Sequence, residues 1–164
     1  MKNTKKLALA GVLIALAVVG STFYIPVGAA KCCPVQHLVN VLSAVILGPW
    51  YGVIIAFIVS IIRNMLGIGS LLAFPGSMFG ALVSGILYKY IKKLPYACVG
   101  ELLGTSIIGG IISYPVALLI MGNKNAALFG FVLPFFISSF GGVIIAAIII
   151  AAVNKTGILK KIME

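Results

Sequence analysis

Residues Leu128 to Val153 read LFGFVLPFFISSFGGVIIAAIIIAAV, 26 positions without one charged side chain. A helix rises about 1.5 Å per residue and needs about 20 apolar residues to cross the hydrocarbon core, so this run alone can span a bilayer. It lacks the alternation of a membrane β-barrel strand. Five further apolar runs, broken by Pro, Gly and Lys, lie at Leu7 to Ile25, Val35 to Leu47, Gly52 to Leu66, Leu71 to Ile91 and Ala97 to Met121. The sequence therefore predicts an all-α integral membrane protein of six transmembrane helices, one domain over residues 1–164. Composition agrees: 62% of residues are apolar and 9% charged, and mean hydropathy is +1.25. Soluble domains are roughly half apolar and a quarter charged. Six crossings use about 120 residues, which leaves no room for a soluble catalytic or nucleotide-binding domain. The second and third runs are short and joined by Gly48-Pro49-Trp50-Tyr51-Gly52, which also reads as the bend of a re-entrant hairpin.

Twelve Lys and Arg stand against two acidic residues. In a soluble chain this excess would point to nucleic acid; here membrane topology accounts for it, and no nucleic-acid partner is expected. With the amino terminus in the cytoplasm, Lys2, Lys5, Lys6, Lys89, Lys92, Lys93, Lys155, Lys160 and Lys161 lie inside, and Lys31, Arg63 and Lys124 lie toward the outside. Nine against three is the bias of the positive-inside rule, and an even number of spans puts both termini in the cytoplasm. The first run is long for a signal peptide and has no convincing Ala-x-Ala cleavage site before the next span, so it is expected to remain as the first helix. Cys32 and Cys33 are adjacent and Cys98 belongs near the opposite face, so no disulfide is expected.

Polar groups inside lipid are costly, which makes their positions informative. They collect in three places. Beyond Pro34, the 3 and 4 residue spacings of Gln36, His37 and Asn40 put them on one side of the second helix, toward a cavity open to the outside. Next comes Arg63-Asn64, followed by Gly67-Ile68-Gly69-Ser70 and Phe74-Pro75-Gly76-Ser77. Arg63 lies roughly 18 Å from the inner end of its run and must pair, line water or snorkel to the headgroups. The third place joins Glu101, Thr105, Ser106, Ser113 and Tyr114-Pro115 to Phe131, Pro134, Phe135, Ser138 and Ser139. Glu101 is the only carboxylate within the runs, and Arg63 is a conceivable partner although their depths differ by roughly 9 Å. Pro115 and Pro134 each free a helical carbonyl, for a kink or for a ligand. All these groups also serve as interhelical hydrogen-bond glue in ordinary bundles.

Small residues four apart mark close helix packing: Gly11 and Ala15; Gly76, Gly80 and Ser84; Ser77, Ala81 and Gly85; Gly100 and Gly104. The spacing leaves open whether they pack within the bundle or against a partner. No Gly-x-x-x-x-Gly-Lys-Ser/Thr, His-Glu-x-x-His or Gly-x-Ser-x-Gly occurs, so the chain carries no visible ATPase or hydrolase site.

Three segments carry a family resemblance: Lys31 to Val41 (KCCPVQHLVNV), Leu47 to Tyr51 (LGPWY), and Arg63-Asn64 through Ser70 to Met78 (SLLAFPGSM). With Glu101 to Thr105 and Tyr114-Pro115 they resemble the ThiW family, substrate-binding S components of energy-coupling factor (ECF) transporters. The resemblance implies an S-component-like six-helix bundle in the prokaryotic plasma membrane, without cofactor or enzymatic activity. It would capture a thiamin precursor outside the cell, expected to be hydroxyethylthiazole, and pass it on with a transmembrane coupling protein and two cytoplasmic ATPases. The substrate-binding residues it implies are Gln36, His37, Asn40, Arg63, Asn64, Phe74, Ser77, Glu101, Thr105, Tyr114 and Phe135. His37, Asn40 and Glu101 lead, with an aromatic residue over the ring. Docking by an Ala-x-x-x-Ala pattern on the first helix falls on Gly11 and Ala15, where Gly departs from the pattern. Rival readings are an S component for thiamin or its pyrimidine precursor, a membrane enzyme using Glu101, His37 and Arg63, a structural subunit, or metal uptake through Cys32, Cys33 and His37.

Overall fold

The computed structural model describes residues 3–27, 30–157 and 159. Lys2, Lys160 and Lys161, assigned above to the inner side, lie outside the described residues. These residues form six helices and one β-hairpin: α1 (Asn3–Gly20), β1 (Ile25–Val27), β2 (Ala30–Cys32), α2 (Pro34–Ile46), α3 (Pro49–Met65), α4 (Ala73–Ile91), α5 (Leu94–Ile120) and α6 (Val132–Lys155). Three of them, α1, α5 and α6, are long and apolar enough to cross a membrane, whereas α2 and α3 are shorter apolar helices.

Where boundaries differ from the sequence reading, local chemistry explains it. The first helix stops at Gly20 rather than Ile25, because Ile25-Pro26-Val27 favours extended backbone and Pro26 cannot donate to a helix. That segment instead pairs antiparallel with β2, Ile25 opposite Cys32. The third helix begins at Pro49, three residues before Gly52, since the fixed φ of proline suits the first helical position. Gly48 at φ 89° makes the sharp turn, so Leu47 and Gly48 alone separate α2 from α3. Proline 134 lies in the first turn of α6, where its missing N–H costs no helical hydrogen bond; it does not kink the helix interior. Pro115 does sit inside α5, and a wider π-helical turn, Val116–Ile120, follows it directly. A second π turn occupies Gly104–Gly109.

The small-residue ladders of α4 pack within the bundle. A Cβ at Gly100 would lie 2.7 Å from the Ser84 Cα, and one at Gly109 would lie 2.7 Å from the Gly76 Cα, so α4 and α5 meet backbone to backbone. The other ladder faces α3: Gly85 abuts Pro49, and a Cβ at Gly52 would stand 3.5 Å from the Ala81 Cβ. Gly11 differs, with nothing within 4 Å of its missing Cβ. Around α4, Leu38, Val41, Val143, Ala146 and Ile150 join α2 to α6. Ala10, Leu13 and Ala17 seat α1 on Val39, Ile55 and Val59. All three cysteines are free and buried.

Overpacking a tight interface costs typically about 1–3 kcal/mol, and a leucine against backbone cannot be relieved by a rotamer change. Gly100→Leu should therefore lower the thermal midpoint of the purified protein by several degrees or prevent its recovery, while Gly11→Leu leaves it unchanged. Equal midpoints for the two variants, followed by tryptophan fluorescence or nephelometry in detergent, would mean that α4 and α5 are not in this contact.

Candidate functional site

Helix α2 starts beneath the hairpin, with Pro34 at its first position and Gln36, His37 and Asn40 all buried on its inward side. Gly142 of α6 lets the two backbones close up: a Cβ there would come within 2.6 Å of the His37 Cβ. His37 is thereby pressed toward α5, where its Nδ1 lies 2.8 Å from Glu101 Oε1. The same oxygen accepts from Asn40 Nδ2 at 2.9 Å and from Thr105 Oγ1 at 3.0 Å. With two other donors on Oε1, His37 Nδ1 is the donor of its bond, and Nε2 is the ring nitrogen left over. Asn40 also donates to the Ser77 carbonyl at 3.1 Å, which ties the cluster to α4. Gly80 makes the space, since a Cβ there would stand 2.7 and 2.8 Å from the two carboxylate oxygens. Glu101 has 0% exposure, and its Oε2 and the Asn40 Oδ1 have no hydrogen-bond partner.

A second cluster lies toward the C-terminal end of α3. Arg63 is 1% exposed, so it does not snorkel to the headgroups; its Nη1 donates to Gln36 Oε1. Gln36 in turn donates to Ser60 Oγ at 3.4 Å, which lies 3.3 Å from Ser77 Oγ. Thus Glu101 pairs with His37 and Arg63 with Gln36, rather than with each other.

Between the two clusters is a narrow recess with ≈ 30 Å³ of free space. Gln36, His37, Arg63, Ser77, Thr105 and Phe135, all expected from the sequence, line it. Gly76 leaves room for the Phe135 ring, whose Cε2 would be 2.9 Å from a Cβ at that position. Asn40 and Glu101 lie behind His37 and Thr105 as support. The other three expected residues are elsewhere. Asn64 braces the loop after α3, donating to the carbonyls of Ser60 at 2.7 Å and Ser70 at 3.1 Å. Phe74 turns outward and meets Phe57 edge to face at 5.7 Å between ring centroids. Tyr114 is half-buried on α5, away from the recess.

The lining also includes residues outside the expected binding set: Lys31, Cys32, Cys33, Ser70, Leu72 and Ser138 among them. Lys31 donates to the Gly67 carbonyl at 2.6 Å and lies 5.1 Å from the centre of the Tyr24 ring, bridging the hairpin to the loop after α3. The two adjacent thiols diverge, Cys32 donating to the Pro134 carbonyl at 3.3 Å and Cys33 to Ser21 Oγ at 3.2 Å. Burial pushes the Cys32 thiol above its ordinary pKa. Among the described residues no group of three or more His, Cys, Asp and Glu side chains is placed to hold a metal ion.

Comparison with known proteins follows the same lines. One solved structure, described as the S component of a bacterial ECF transporter, superposes with a TM-score of 0.79 at 18% sequence identity, over 94% of this chain and 98% of that one. The two share a fold. No curated protein matches the sequence. The family model described as thiamine-precursor transporter protein (ThiW) matches residues 7–156. With its apolar helices, this makes the chain a multi-pass protein of the plasma membrane. The chain belongs to the ThiW family of thiamine-precursor transporters.

Proposed function

We propose that this protein is the substrate-capturing S component of an ECF importer and that hydroxyethylthiazole binds in the recess between α2, α3, α4, α5 and α6. The observation that carries this is a polar recess walled by Phe135 and floored by a histidine whose Nδ1 is fixed by a buried carboxylate. A small heterocycle needs a ring-stacking surface and two or three convergent polar groups. In this reading Phe135 covers the ring, and His37 Nε2 meets the ligand hydroxyl or ring nitrogen. Glu101, Asn40 and Thr105 hold the imidazole in position. Gln36, Arg63 and Ser77 close the polar side.

The chain has no nucleotide-binding motif, so energy must come from partners: a transmembrane coupling protein and two cytoplasmic ATPases. Gly11 and Ala15 are exposed on α1, and nothing lies against Gly11, which suits a helix docking at close range. Six spans with both termini cytoplasmic complete the reading, since this topology carries the recess, the hairpin and Lys31 to the outer side.

Isothermal titration of the detergent-purified protein should give saturable one-to-one binding of hydroxyethylthiazole, with thiamin and the aminopyrimidine precursor as comparisons. Preference for either comparison would reassign the substrate, and binding of none of the three would return the structural-subunit reading. His37→Ala and Glu101→Gln should each weaken thiazole binding about tenfold or more, as expected for lost hydrogen bonds to a charged group; parent-like affinity in both would remove the histidine from the site.

Gly11→Leu with Ala15→Leu should retain ligand binding in detergent but abolish uptake by cells expressing the complete transporter. Unchanged uptake would place the docking surface elsewhere. For topology, a membrane-impermeant maleimide should label Lys124→Cys in intact cells and leave Lys92→Cys unlabelled until the cells are opened. The reverse pattern would invert the assigned orientation.

A further inference from the structure

Arg63 is the largest fully buried side chain among the described residues, yet only its Nη1 has a partner. Its Nε and Nη2 have none. These two N–H groups share one edge of the guanidinium, the edge that grips two oxygens of a carboxylate or phosphate side-on. A buried guanidinium left without a counter-charge is strongly unfavourable. The sequence holds two acidic residues, Glu101 and Glu164. Glu101 is committed to His37, Asn40 and Thr105 and stands behind the recess rather than in its wall. Glu164 is outside the described residues, among which no carboxylate pairs with Arg63. A second cation, Lys31, lines the same recess, together with the hydroxyl-bearing Ser70 and Ser77. A neutral alcohol offers this pair of N–H groups one oxygen, where a carboxylate or phosphate offers two.

We propose that the recess also takes thiazoles whose side chain ends in an anionic oxygen group, a carboxylate or a phosphate monoester, and holds one of them more tightly than hydroxyethylthiazole, with that group seated on the Nε and Nη2 edge of Arg63. Lys31 adds a second positive charge at the hairpin side, and the heterocycle lies toward His37 and Phe135. This inference rests on the thiazole-capture reading above and extends the captured class from the neutral alcohol to its anionic relatives.

Titration with three ligands tests it: hydroxyethylthiazole, its phosphate ester, and a thiazole whose side chain ends in a carboxylate. One of the two anions should bind the parent protein about tenfold or more tightly than the alcohol, as charge-assisted bidentate bonding implies. Whichever anion leads identifies the group. In Arg63→Gln the ratio of anion to alcohol affinity should fall to about one. Arg63→Lys, which keeps the charge but not the paired edge, should fall between. Should neither variant fold, the ranking on the parent protein still decides. If the alcohol binds as tightly as both anions, the anionic inference is overturned and thiazole capture stands. If no thiazole binds while thiamin or the aminopyrimidine does, thiazole capture fails and the inference falls with it.

Discussion

A carboxylate with no exposed surface, deep in a bundle of apolar helices, must be surrounded by donors or it cannot stay there as an acceptor. Glu101 meets this demand with one oxygen that accepts from two residues of α2 and from its own helix one turn on. Glycine at position 80 leaves the room in which both of its oxygens lie against α4. The carboxylate thus sets how α2, α4 and α5 lie relative to one another. It also sets the imidazole, whose Nδ1 is occupied and whose remaining nitrogen is available at the recess.

The division of faces follows from the same constraint. Lipid offers no hydrogen bonds, so Ser60, Ser77, Ser113, Ser139, Asn40, Gln36 and Arg63 turn inward and bond to one another, to Glu101 or to helical carbonyls, while Ile, Leu and Phe cover the outside of α5 and α6. No hydrophobic drive distinguishes lipid from a neighbouring helix, so close backbone approach does much of the holding. The glycines of α4 and α5 are used up in this way. On α1, Gly11 and Ala15 are not, and that leaves a smooth strip on the least buried of the long helices.

The six helices were legible from apolar runs and punctuation, because helix existence depends on composition over many residues. What was not legible depended on single residues and their neighbours. The Ile25 to Cys32 stretch reads as a loop until its two halves are seen to pair. Pro49 reads as a breaker, although at a first helical position it is a starter. In the site, His37, Asn40 and Glu101 stood out as polar groups in apolar runs, but their mutual contact did not: depth counted along straight helices cannot reveal how far α2, only 13 residues long, is sunk beneath its hairpin. Phe74 and Ser77 are three residues apart and looked equivalent. Their helix turns Ser77 to the recess and Phe74 to Phe57, a choice made by the packing of α3 on α4 rather than by either residue. Ser138 and Lys31 were visible as polar groups, but only the closed hairpin brings them to one wall.

The most direct measurement is a structure of the protein solved with a bound thiazole ligand. Ring density between Phe135 and His37, with the side chain directed to Arg63, is the expected result. Density instead in the apolar groove between α5 and α6, beside Phe129 and Phe136, with the recess around His37 unchanged, would contradict the assignment of the site.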